Sequence, residues 1–140
     1  MPQSELYYLT EDIGDHIGEL INQFSTGAVE LTAEELLERI NELLPIEKMN
    51  HQTVLRRVEG YSQATDLLWE KILEIGKLDK QEIITRANLK PMSYYHYLTG
   101  SREAPDYAKS REDMLNDPST ALVKLRDDII GLADLMLNLK

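Results

Sequence analysis

The chain has 140 residues and carries 25 acidic against 15 basic side chains, a net charge of −10 at pH 7. A chain of this length buries about two-thirds of its unfolded surface, so its core needs no crosslink. It contains no cysteine, which excludes disulfides, zinc–thiolate sites and thiol nucleophiles. No apolar run approaches the roughly 18 residues that span a bilayer, and the N-terminus is polar and acidic, so we expect a cytoplasmic protein with no membrane contact.

The spacing of the apolar residues predicts the fold class. These residues recur mostly three and four positions apart, and alternating runs of β-branched residues are few. We therefore expect an all-α protein with a compact helical domain. An acidic helical region is predicted over residues 1–61, and a second helical region, ending in a long C-terminal helix, over residues 62–140.

Two helices are predicted in the first part of the N-terminal region. The first begins after Thr10 and ends near Gly27. Its apolar face is formed by Ile13, Ile17, Leu20, Ile21 and Phe24. The second begins at Thr32, because Thr32 and Glu35 have the spacing of a capping box. His16 has no second ligand at metal spacing, so we expect no metal site.

A more basic stretch follows the second helix. Residues His51–Tyr61 are predicted to form a separate short helix with Gln52, Arg56 and Arg57 exposed. These three residues form one candidate DNA-binding surface, which is second to the surface of residues 80–102 described below. A plain amphipathic helix would show the same pattern. Ser62 is expected to cap the helix that comes next.

Residues Asp79–Pro105 are predicted to form two short helices joined by a tight turn. Asp79 and Glu82 have the spacing of a second capping box. Asn88 ends the first helix, since asparagine enters the left-handed conformation at low cost. Pro91 suits the first position of a new helix, which we expect to end at Leu98.

These residues resemble the helix-turn-helix of the lambda-repressor-like (Xre-type) DNA-binding family, and the resemblance extends over roughly residues 62–115. Eight positions fall in register with the family pattern: Ile83, Ala87, Leu89, Pro91, Ser93, Gly100, Arg102 and Pro105. Lys80 stands where the family has a glutamine that contacts phosphate, and Gln81 follows it. The resemblance implies a helix-turn-helix domain over residues 62–140.

The resemblance also implies that Met92–Leu98 is a recognition helix for the major groove of double-stranded DNA. The DNA-binding residues on this interpretation are Lys80, Gln81, Met92, Ser93, Tyr95, His96, Thr99 and Arg102. The helix has no arginine or asparagine, which read guanine and adenine with two hydrogen bonds, so we expect modest sequence discrimination. The alternative is that the aromatic residues 94–97 fill a helical core.

Charge is distributed unevenly along the chain. Residues Lys77–Arg111 include seven basic and four acidic side chains, a net of +3, so the rest of the chain carries −13. One basic face on an acidic body is the polarity expected of a protein that meets nucleic acid on one side. An acidic body also suits a basic protein partner.

A long helix is predicted over Thr120–Leu139. Its apolar residues follow the alternating spacing of a heptad seam, and the seam consists of Leu122, Leu125, Ile129, Leu132 and Met136. We expect this helix to pack on its own domain and to offer the remainder of its apolar stripe to a second copy, giving a homodimer. Asp127 and Asp128 are expected to be a solvated pair.

The sequence contains no motif for catalysis, and neither a cofactor nor a metal site is expected. Two functional hypotheses remain. The first is a small, sequence-preferring DNA-binding transcriptional regulator of the helix-turn-helix type, of bacterial, phage or mobile-element origin. The second is an acidic helical protein-interaction module, such as an antirepressor, an antitoxin-like module or a nucleic-acid mimic, that retains the fold without binding DNA.

Overall fold

A computed structural model describes residues 11–44, 51–89 and 116–139 of the chain. These ranges contain helices and no strand, which confirms the predicted all-α class. We number the helices in chain order. They are α1 (Glu11–Thr26), α2 (Ala33–Leu43), α3 (His51–Gly76), α4 (Lys80–Ala87) and α5 (Pro118–Leu139).

The predicted start of α2 is confirmed in atomic detail. The Oγ1 atom of Thr32 accepts a hydrogen bond from the backbone N–H of Glu35 at 3.1 Å. In return, the backbone N–H of Thr32 donates to Oε1 of Glu35 at 2.9 Å. Each bond satisfies a donor that the first turn of a helix leaves without an intrahelical acceptor. The capping box therefore sets where α2 begins.

Helix α3 corrects the predicted division of the chain at residues 61 and 62. It is one continuous helix of 26 residues, so His51–Tyr61 is not a separate helix and Ser62 is not a cap. Ser62 is buried, at 7% exposure. The glycine at position 60 does not end the helix either: a Cβ added there would lie 2.6 Å from Cδ2 of Leu44, so the glycine allows close packing instead.

All five helices contribute to one hydrophobic core. Among the described helices, α3 and α5 have the most extensive contact with each other. Their C-terminal ends meet, because a Cβ added at Gly76 would lie 2.8 Å from Cδ1 of Leu139. The largest fully buried side chains come from every helix: Ile17, Ile21, Phe24, Leu36, Ile40, Leu55, Leu68, Ile72, Ile83, Leu125 and Ile129. The predicted regions 1–61 and 62–140 therefore share their core.

The predicted dimerisation seam of α5 lies inside the protomer. Its members Leu125, Ile129, Leu132 and Met136 are all 0% exposed, and Leu122 is half-buried against the core. In the folded protomer the four fully buried side chains are consequently not available to a second copy. The exposed apolar side chain on this helix is Val123, at 48%. The seam is thus assigned to the core, and dimerisation itself stays a prediction.

The expectation that Asp127 and Asp128 form a solvated pair is wrong for Asp128. Asp127 is exposed, whereas Asp128 is 0% exposed. The helical period explains the difference, because Asp128 lies three residues after Leu125 and four before Leu132, on the same side as the buried seam. Two consecutive carboxylates therefore have opposite environments.

The backbone at the end of α4 packs directly against the backbone of α5 at Gly131. A Cβ added at Gly131 would overlap the carbonyl oxygen of Ala87, the last residue of α4, and would lie 3.1 Å from its carbonyl carbon. The obstructing atoms belong to the backbone and cannot rotate away. Gly131 therefore sets how closely the end of α4 can dock on α5.

We predict that Gly131→Ala destabilises the protein, whereas Gly18→Ala stabilises it. Both changes improve the helix propensity of an interior position by about 1 kcal/mol. At Gly18 no atom lies within 4 Å of the added methyl group. At Gly131 the clash with α4 should cost about 1–3 kcal/mol, as overpacking of a close contact does. Urea unfolding of the two variants measures the difference, and equal midpoints would contradict the docking geometry.

Candidate nucleic-acid interface

Helix α4 is short and starts at a well-defined residue. Oδ1 of Asp79 accepts a hydrogen bond from the backbone N–H of Glu82 at 2.8 Å, and the N–H of Asp79 donates to Oε1 of Glu82 at 3.3 Å. The predicted capping box is therefore present. It fixes the first turn of an eight-residue helix that would be marginal on its own.

The end of α4 is the tight turn that the sequence predicts. Asn88 is left-handed, with φ 55° and ψ 47°. Its backbone N–H donates to the carbonyl of Thr85 at 3.2 Å, and the N–H of Leu89 donates to the carbonyl of Ile84 at 3.0 Å. Paired bonds of this kind satisfy the last carbonyls of a helix and reverse the chain. These hydrogen bonds thus fix the backbone conformation at Asn88 and Leu89, where α4 ends.

The two sides of α4 differ sharply in burial. Ile83 is 0% exposed, Ala87 3% and Leu89 6%, so these three residues anchor the helix and its turn in the core. The opposite side is exposed and presents Lys80, Gln81, Thr85 and Arg86. Nε2 of Gln81 also donates to Oγ1 of Thr85 at 3.4 Å. The predicted DNA-contacting residues Lys80 and Gln81 therefore lie at the accessible N-terminal end of α4.

The α4 region and the N-terminal helices differ in net charge. Residues 77–89 contain three basic and two acidic side chains, a net of +1. Residues 11–44 contain nine acidic side chains and one arginine, a net of −8. Residues 11–44 consequently account for −8 of the net charge of −10, and α4 is the less repulsive place for a phosphate.

The remaining residues of the predicted DNA-binding face follow the turn in the sequence. They are Met92, Ser93, Tyr95, His96, Thr99 and Arg102, and they lie outside the described residues. The recognition helix stays a prediction from the sequence. The structure shows helix α4 and the turn at Asn88, which precede these residues in the sequence.

The second candidate surface is less accessible than the sequence suggested. Arg56 and Arg57 are half-buried on α3, and the side chain of Gln52 lies outside the described residues. The Nε atom of Arg57 is buried and makes no hydrogen bond within the described part of the chain. Since the guanidinium of Arg57 is partly turned inwards, this site is a weaker candidate for phosphate contact than Lys80 and Gln81.

A polar cleft that the sequence did not predict lies beside the turn. It has a volume of ≈ 410 Å³ and is lined by Arg86 and Asn88 on one side and by Asp127, Asp134 and Asn138 of α5 on the other. Gly131, against which the end of α4 packs, also lines the cleft. In the sequence, Gly131 is an isolated glycine within the apolar stripe of a helix, and this feature could have predicted the close approach of another segment.

Comparison with known protein families, with characterised proteins and with solved structures finds no match to this chain. Among the helices of the described ranges, none combines the length and the apolar composition needed to cross a membrane. Within the same ranges, no three His, Asp or Glu side chains are grouped so that they could hold a metal ion.

We predict opposite outcomes for two substitutions at the turn. Asn88→Gly should be neutral or slightly stabilising, because glycine adopts a positive φ freely. Asn88→Val should lower the free energy of unfolding by about 1–2 kcal/mol, because a β-branched side chain clashes with its own backbone there. Thermal unfolding of both variants measures this, and indistinguishable curves would argue against a left-handed residue at position 88.

Proposed function

We propose that the protein is a small, sequence-preferring DNA-binding transcriptional regulator of the helix-turn-helix type that acts on double-stranded DNA in the cytoplasm. The observation that supports this proposal best is α4 itself. It is a short helix with a capping box at its start, a left-handed turn at its end and three buried anchors between them. These features agree with the first helix and turn of the lambda-repressor-like pattern.

The exposed end of α4 is suited to a phosphate contact. The N-terminus of a helix carries partial positive charge, and Lys80 lies in the first turn with Gln81 beside it. Asp79 and Glu82 are held in the capping box, where each accepts a backbone N–H. In the proposal Lys80 and Gln81 position the protein on the DNA backbone, and Tyr95 and His96 of the second helix contact base edges.

The proposal includes a homodimer, since regulators of this type commonly bind paired half-sites about one helical turn apart. The seam of α5 is buried in the protomer, so the contact between copies would involve an outer surface. Val123, which is 48% exposed, lies on such a surface.

The competing proposal is an acidic interaction module that does not bind DNA. It is favoured by the net charge of −8 on residues 11–44, which repels phosphate. Binding of a labelled duplex, measured by fluorescence anisotropy at several salt concentrations, separates the two proposals. A regulator loses affinity steeply as salt rises, because counterions are released from the DNA on binding. No binding even at low salt would favour the interaction module.

We predict that Lys80→Ala weakens binding to all DNA sequences about equally. Loss of one phosphate contact should reduce the slope of log affinity against log salt by about one unit. Arg39→Ala is the matched control, because Arg39 is exposed on the acidic helix α2 and its loss changes the net charge by the same amount. Equal effects of the two substitutions would show that only overall charge matters and would remove Lys80 from the interface.

We predict a different effect for Tyr95→Ala and His96→Ala. These substitutions remove side chains proposed to contact base edges, so they should relax sequence preference and leave the salt slope nearly unchanged. Selection from random duplexes defines the preferred site of the wild type, and anisotropy with that site and a scrambled site gives the ratio of affinities. An unchanged ratio in both variants would place the reading surface elsewhere.

A further inference from the structure

An open groove lies beside the loop between α1 and α2, within the segment 11–44 whose net charge is −8. It has a volume of ≈ 590 Å³ and runs between the loop before α2 and the C-terminal part of α5. Its apolar lining comes from Val29, Leu31 and Leu137, which are half-buried and pack against the core. The size lies within the usual range of ligand pockets, about 300–1,000 Å³, and would accommodate several side chains of a peptide.

The loop that forms one wall of the groove is held by its own hydrogen bonds. Gly27 has a positive φ of 85°, and its N–H donates to the carbonyl of Phe24 at 3.4 Å. The N–H of Val29 donates to the carbonyl of Gln23 at 3.3 Å, and the capping box at Thr32 holds the other end. The wall is therefore formed before any partner arrives, which lowers the entropic cost of binding.

Carboxylates surround this apolar lining. Glu30, Glu34 and Asp134 line the groove, are exposed and form no ion pair within the described part of the chain. Glu35 also lines it, but its carboxylate is engaged in the capping box. The described carboxylates are not grouped closely enough to hold one metal ion. They are better suited to separate cations spread along an extended ligand.

We propose that this groove binds a basic, amphipathic segment of a partner protein. The apolar side chains of the segment would cover Val29, Leu31 and Leu137, and its lysine or arginine side chains would meet Glu30, Glu34 and Asp134. Charge complementarity selects this partner, because residues 11–44 carry a net charge of −8 and repel both phosphate and acidic protein surfaces. The groove is independent of the proposed DNA contacts on α4, so either proposal can fail alone.

The test uses the full chain and a fluorescein-labelled peptide of leucine and lysine at helical spacing, about 14 residues long, as an amphipathic basic probe. Anisotropy should show saturable binding to the wild type. The triple variant Glu30→Gln, Glu34→Gln, Asp134→Asn should bind on the order of tenfold more weakly. In nuclear magnetic resonance titrations of the wild type, the amide signals of residues 29–35 and 134–137 should shift most.

Two controls separate the groove from general attraction to an acidic protein. The variant Glu19→Gln, Glu38→Gln, Glu42→Gln removes the same charge from exposed positions of α1 and α2 that do not line the groove, and it should bind the probe within about twofold of the wild type. A probe in which serine replaces every leucine keeps its charge and should lose on the order of tenfold in affinity, because its apolar contacts are gone.

Four results would overturn the proposal. They are no saturable binding of the leucine–lysine probe at low salt, equal losses in the two triple variants, equal affinity for the serine probe, and a wild-type dimer in sedimentation that the groove variant dissociates. The last result would show that a second copy of the chain covers the groove. Duplex binding by the groove variant should equal that of the control variant with substitutions at Glu19, Glu38 and Glu42, because both lose three negative charges. This comparison keeps the test distinct from the test of DNA binding.

Discussion

The contact between the carbonyl of Ala87 and Gly131 is the constraint on which the arrangement of the helices depends. At this point α4 rests on α5 with no side chain between them, so the position of the turn at Asn88 follows from the position of α5. Helix α5 in turn packs along α3, the longest of the described helices. The candidate DNA-contacting side of α4 is therefore held by the core, although α4 itself has only eight residues.

Local features were predictable because they depend on neighbouring residues. The capping boxes at Thr32 and Asp79 and the left-handed turn at Asn88 follow from residue types at short, specific spacings, and the structure confirms all three. Lys80 and Gln81 are exposed as expected, because Ile83 and Ala87 define the opposite side of a short amphipathic helix.

Features set by packing between distant segments were predicted less well. The sequence predicts a break between Tyr61 and Ser62, but Leu44, which follows α2, packs against Gly60 and α3 continues. The heptad seam of α5 suits either a core or a dimer, and the packing of α2, α3 and α4 on α5 decides that Ile129 and Met136 are covered within the protomer. Burial of Asp128 likewise depends on which side of α5 the other helices occupy.

The continuity of α3 has a consequence for how the protein can be divided. A helix of 26 residues is about 39 Å long, and this one packs on α1 and α2 as well as on α5. Cleavage near position 61 would expose apolar surface on both fragments and leave each without a complete core. We therefore expect the acidic part and the part with α4 to unfold together in one cooperative transition.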